Sequence, residues 1–154
     1  MKKSVSIILV MLLLTALLPV NAFAAEAPLD ADNIIYYEDG SYITIEIDYT
    51  ETRATSIRVG SKTYTYYNAD NEELWRARLS ATFQYDKVNP AVCTSCDCEI
   101  TITDTTWQID TNEATKSGNT ATAEVRMVKK FLGITINSQD VELTLSCSPT
   151  GDFT

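Results

Sequence analysis

The stretch Leu74-Trp75-Arg76-Ala77-Arg78-Leu79-Ser80-Ala81-Thr82-Phe83-Gln84-Tyr85 decides the fold. Trp75, Ala77, Leu79, Ala81, Phe83 and Tyr85 share one parity, and Arg76, Arg78, Ser80, Thr82 and Gln84 share the other. Successive side chains of a strand point to opposite faces, so the pattern predicts one dry face and one wet face. At helical spacing the same apolar residues scatter around the cylinder. About twelve residues is long for a strand, which usually has about five or six. The small side chains from Ala77 to Ser80 predict a bend or bulge there. One wet face implies an antiparallel sheet with a partner layer on its dry side.

Working outward, Ile43, Ile45, Ile47 and Tyr49 alternate with Thr44, Glu46 and Asp48. Ala121, Ala123, Val125 and Met127 share a face, and Val141, Leu143, Leu145 and Cys147 alternate with Glu142, Thr144 and Ser146. Asp39-Gly40 and Gly60-Ser61 read as turns, and Gly60-Ser61 separates a weak strand, Ser56 to Val59, from Lys62 to Asn68. Thr50 to Thr55 and Thr111 to Asn119 read as polar loops. Asn89-Pro90 breaks the pattern, Asn137 to Asp140 interrupts the last strand, and the tail from Ser148 to Thr154 reads as loose. No segment of ten or more residues after the leader has a helical period. The expected fold is all-β, an antiparallel β-sandwich of immunoglobulin-like type with eight or nine strands, favoured over a barrel. Trp75 and Trp107 are large enough to anchor its inter-sheet core.

The chain has 154 residues. Lys2 and Lys3, an apolar run from Val5 to Val20 and the small-x-small site Ala22-Phe23-Ala24 read as a secretory signal peptide, cleaved after Ala24. No Cys follows the run to mark a lipoprotein, and the later chain has no apolar stretch of membrane-spanning length. Residues 25–154 then form one domain, secreted and without a stable membrane anchor. Losing Lys2 and Lys3 leaves 10 Lys+Arg against 21 Asp+Glu, a net charge of −11. Such a balance suits extracellular solubility and repels polyanions, nucleic acid and anionic lipid surfaces included.

Cys93, Cys96, Cys98 and Cys147 are an even set, which in an exported chain favours disulfides. Pairing Cys93 with Cys147 closes a loop of about 55 residues, worth roughly 4 kcal/mol in the chain-entropy model. It leaves Cys96 and Cys98 to pair across one residue, which is tight. The alternatives join Cys147 to Cys96 or Cys98, so a bond from Cys147 to the cluster is expected with its partner open. A redox role for Cys93-Thr94-Ser95-Cys96 would want a helix N-terminus, where the surroundings read as strand and loop. A four-thiolate zinc site would want a second Cys-x-x-Cys, which is missing.

The sequence contains no His, which removes Ser-His-Asp and Cys-His catalysis and the usual zinc hydrolase sites. Paired carboxylates could serve a glycosidase, but 21 acidic residues make a close pair expected by chance. Asn68, Asp70, Asn71, Glu72 and Glu73 offer oxygens to calcium yet lack the EF-hand glycine and distal bidentate Glu, and read as a solvated hairpin loop. No cofactor is expected. The tyrosines are the best functional hint: Tyr64 and Tyr66 share a face and Tyr67 points the other way. Exposed Tyr can stack on sugar rings or anchor protein contacts, so Tyr64, Tyr66 and Tyr67 are the candidate ligand-binding residues.

Three stretches carry a resemblance: Gly60-Ser61-Lys62-Thr63-Tyr64-Thr65-Tyr66-Tyr67-Asn68 with Leu74-Trp75, then Lys116-Ser117-Gly118-Asn119-Thr120-Ala121-Thr122-Ala123 with Phe131-Leu132-Gly133, and Leu143-Thr144-Leu145-Ser146-Cys147-Ser148-Pro149-Thr150-Gly151. In these the chain resembles a group of small exported proteins of Gram-positive anaerobes. The resemblance implies a secreted all-β protein and no particular activity. The expected function is therefore non-catalytic binding of a glycan or protein at the cell surface or outside the cell. A secreted toxin, a structural component of a surface layer or matrix, and a small hydrolase are the rival classes.

Overall fold

The computed structural model describes residues 33–51 and 56–154. The expected leader over residues 1–24 and most of the loop expected over 50–55 lie outside the described residues. Eight strands follow in order: β1 (Ile34–Tyr36), β2 (Tyr42–Glu51), β3 (Ile57–Tyr67), β4 (Glu73–Gln84), β5 (Val92–Ile102), β6 (Trp107–Ser117), β7 (Thr120–Phe131) and β8 (Ile134–Ser146). They form two antiparallel sheets, one ordered β1-β2-β3-β4-β5 and the other β6-β7-β8. Every hydrogen-bonded neighbour is also a neighbour in sequence. An immunoglobulin-like sandwich interleaves its strands as Greek keys, so this architecture is instead a pair of meanders joined once, between β5 and β6.

The alternation that set β4 is present in full. Trp75, Ala77, Leu79, Ala81 and Phe83 are all buried, and Arg76, Arg78 and Gln84 face water. Sheet two answers with Ala121, Ala123, Val125, Met127, Leu143 and Leu145, which join them in one core. Small residues on β7 let the large rings of β4 approach. Trp75 and Trp107 meet edge-on with centroids 6.3 Å apart, and Tyr66 packs on both at 5.2 and 5.6 Å. The expected anchor role of the two indoles is thus observed.

Several boundaries differ from expectation. Gly60-Ser61 is not a turn but lies inside β3, paired with Ala81 and Ser80. The ring of Phe153 occupies the space above Gly60, where a Cβ would come within 2.7 Å of it; glycine in a strand interior marks such a close approach. Thr111 to Asn119 is mostly strand, because β6 is an edge strand whose polar residues face solvent on both sides. β8 likewise runs through Asn137 to Asp140 without a break. β4 carries no bulge at Ala77 to Ser80; the irregularities fall at Tyr66/Tyr67 and Thr82/Phe83. The tail is tied down: Ser146 and Thr154 exchange backbone hydrogen bonds at 2.9 and 3.0 Å, and Phe153 packs on Phe83 with centroids 5.6 Å apart.

Candidate functional site

Pairing β2, β3 and β4 in register sets their outward residues in rows. Tyr42 lies beside Tyr67, Thr44 beside Thr65 and then Arg76, and Glu46 beside Thr63 and then Arg78. The Thr44 and Glu46 rows, with Tyr67, floor a groove of about 620 Å³ across the outer face of the five-stranded sheet, with Glu73 and Asp48 at its sides. The volume falls in the range of small-molecule sites. Tyr42 and Tyr67 stack at 5.0 Å with 15° between planes, and Tyr36 leans on Tyr42 at 5.7 Å. Tyr36 is 72% exposed, so this aromatic row opens to solvent at one end of the groove.

The polar groups of the groove are held in place. Arg76 donates to both Glu73 carboxylate oxygens, at 3.0 and 2.8 Å from Nη2, and Glu73 also accepts from Thr103 Oγ1 at 3.2 Å. The hydrogen bond and the charge of Glu73 hold the Arg76 guanidinium ionised above its usual range. Arg78 Nη2 donates to the buried Ser61 hydroxyl at 3.0 Å. Tyr42 donates to Asn71 Oδ1 at 3.1 Å. Burial, then the carboxylate of Glu73, raises the Tyr67 phenol, which stays a neutral donor at physiological pH. Flat rings beside hydroxyls, guanidinium groups and a carboxylate are the donors and acceptors that hold hydroxyl-rich rings.

Of the three tyrosines singled out by sequence, only Tyr67 reaches this face. Tyr66 is 3% exposed and donates to Ser41 Oγ at 2.9 Å inside the core, so it is not a surface contact. Tyr64 points inward as well, half-buried between the sheets with Lys62 Nζ 5.9 Å from its ring centre. The shared parity of Tyr64 and Tyr66 is observed. The missed residues are Thr44, Glu46, Thr65, Arg76 and Arg78, which look like any wet face until the strand order is known.

The expected disulfides are absent: Cys93, Cys96, Cys98 and Cys147 are all free thiols. Cys96 and Cys98 lie two apart on one face of β5, a spacing of about 6.6 Å along a strand, at the far limit of a disulfide. Cys93 is brought to the same face by the bulge at Thr82/Phe83. Its thiol turns to Ser95 O at 3.4 Å, and that of Cys147 to Ser148 O at 3.5 Å. Burial, reinforced by Asp97, pushes the Cys98 thiol up to about 11, and burial raises Cys93 and Cys147. Such thiols are poor nucleophiles at neutral pH.

The acidic loop before β4 spends its oxygens on its own turn. Asn68 Oδ1 accepts from the backbone N–H of Asp70 and Glu72, and Glu72 accepts from Asn68 Nδ2 at 2.8 Å. Among the described residues no three His, Cys, Asp or Glu side chains converge as metal ligands. A smaller hollow of about 380 Å³ on the outer face of the other sheet is walled by Glu124, Asp140 and Glu142, and its one cation, Arg126, already faces Asp110 and Asp140 at 3.5 and 3.4 Å. No aromatic ring lines it. No family model, curated protein or solved structure matches this chain.

Proposed function

We propose that the protein is an exported, non-catalytic binding module that holds a glycan on the outer face of its five-stranded sheet. The groove floored by Thr44, Thr65, Arg76 and Arg78 and flanked by the Tyr36-Tyr42-Tyr67 row carries this reading. Export rests on the Lys2-Lys3, apolar-run and Ala22-Phe23-Ala24 pattern, and a secreted product would begin at Ala25. The immunoglobulin-like comparison reduces, in this proposal, to a shared two-layer shape that presents a sheet face to its ligand.

The test is retention on the cell walls of the source organism and on a panel of insoluble polysaccharides, at low and high salt. Saturable, salt-resistant binding is expected. Each ring here offers a large rigid contact for a sugar face, so Tyr67→Ala and Tyr42→Ala should each weaken binding about tenfold or more. Tyr64→Ala should leave affinity within about twofold, because that side chain faces the other way. Unchanged affinity in a Tyr42→Ala/Tyr67→Ala double variant would remove the site.

A further inference from the structure

The β7–β8 hairpin ends in Phe131-Leu132-Gly133-Ile134, a two-residue turn closed by the Phe131–Ile134 pair. Leu132 and Gly133 both have positive φ, 50° and 80°. Such turns favour Asn, Asp or Gly at both central positions. Leu is instead held in a left-handed conformation that costs a branched side chain, and it is 87% exposed. Phe131, Ile134 and Ile136 beside it are 64%, 68% and 59% exposed. Neither local conformation nor packing accounts for these four apolar residues, and a contiguous exposed patch of this kind marks an interaction site.

The hairpin's own segment differs in charge from the chain as a whole. Residues 126–139 contain Arg126, Lys129 and Lys130 and no Asp or Glu, in a sequence with 21 acidic residues against 12 basic ones. Arg126 is taken up by Asp110 and Asp140, and Lys129 lies 3.7 Å from Asp104, a loose and partly exposed pair. Lys130 makes no ion pair among the described residues and sits directly before Phe131. The other loops at this end carry Glu38, Asp39, Asp70 and Glu72. Within its own sheet the hairpin outreaches β6: Trp107 opposes Lys129, and Phe131 to Ile134 lie beyond it. A second copy adding to the β8 edge would need a straight strand there. The register shift at Lys129/Lys130 leaves Ile136 as an extra, unpaired residue, and bulges of this kind protect edges.

We infer that the β7–β8 hairpin tip docks on an anionic lipid surface, with Phe131, Leu132, Ile134 and Ile136 seated at the headgroup–acyl boundary and Lys130 among the headgroups. Apolar burial supplies the seating and Lys130 the preference for anionic lipid, over a short range that screening separates from the acidic remainder. The surface is distinct from the groove, so its failure leaves the glycan reading intact.

The experiment places a reporter at the tip. Trp75 and Trp107 are buried, so a Leu132→Trp variant of the full chain adds one exposed indole. With vesicles of brominated phosphatidylcholine mixed with phosphatidylglycerol, its emission should shift blue and be quenched, and several-fold less so with brominated phosphatidylcholine alone or in high salt. The N-terminal apolar run is common to parent and variants, so a difference between them reports the tip. An Ile136→Trp variant repeats the reading if position 132 does not tolerate the larger ring. Leu132→Asn should raise the melting temperature, since Asn accepts positive φ, and should lower vesicle retention relative to the parent. Unshifted emission with both vesicle types, equal insertion into both, or a dimer that Leu132→Asn abolishes would overturn the assignment.

Discussion

At the residue scale, glycine shows how much a single hydrogen can decide. Gly60 and Gly118 occupy different problems. Gly118 has φ of 55° with nothing within 4 Å of an added Cβ, so its requirement is conformational. Gly60 has no such backbone demand, and its requirement is space: the Phe153 ring sits 2.7 to 3.0 Å from where a Cβ would be. Gly60→Ala should therefore cost about 1–3 kcal/mol by overpacking, read as a lowered urea midpoint. The same substitution in a Phe153→Ala background should cost much less, because the clash is gone. Equal costs in both backgrounds would show that the tail does not pack there in solution. The sequence marked Gly60 for a turn, since a strand glycine and a turn glycine look alike until the residue above it is known. Tyr66 and Tyr67 pose the matching difficulty: alternation separates them, but only the pairing of Tyr66 with Trp75 says which one faces the core.

At the scale of the element, legibility followed burial. β4, β7 and the second half of β8 have one buried face, and their alternation could be read directly. β2 alternates as well, although only Ile43 and Ile45 of its apolar face reach the core and Ile47 and Tyr49 are exposed. Trp107 with Ile109 and Ile134 with Ile136 read as short strands. Thr111 to Ser117 of β6 and Asn137 to Asp140 of β8 are mostly exposed on both sides, so no period of two separates their residues and they read as a loop and a break. The groove was illegible for a related reason, since it is made of residues from three strands that meet only through sheet order. β5 was half-legible. Its cysteines stood out, but the bulge that turns Cys93 onto the face of Cys96 and Cys98 has no sequence signature. That geometry leads to a direct expectation. The chain, denatured in guanidinium without reductant, should give four reactive thiols, and native protein at neutral pH should react slowly at buried Cys93, Cys98 and Cys147. Fewer than four thiols after denaturation would mean that oxidation draws the β5 and β8 cysteines closer than they lie here.

For the whole molecule, the same burial that builds the core sets its response to pH. Cys98 is raised from 9.0 to about 11, chiefly by burial. Cys93, Cys147, Tyr37, Tyr64, Tyr66 and Tyr67 are raised too, with burial the largest cause in each. A group whose proton is held more tightly in the folded chain contributes stability that is complete below its unfolded value and lost as pH rises through its folded one. These groups act with one sign, so stability should fall from about pH 9 towards pH 11. The acid limb has the opposite origin. Asp39, Asp86 and Asp104 are lowered from 3.8 by hydrogen bonds from Ser41, Asn89 and Thr106, so their contribution is present above that value and lost as pH falls through their folded values. Urea midpoints should form a plateau between these limbs. Cys98→Ala should flatten the alkaline limb and leave the acid limb in place, while Asp86→Asn should do the reverse. A midpoint that held or rose between pH 9 and 11 would show that these thiols and phenols are better solvated than their positions in the sandwich require.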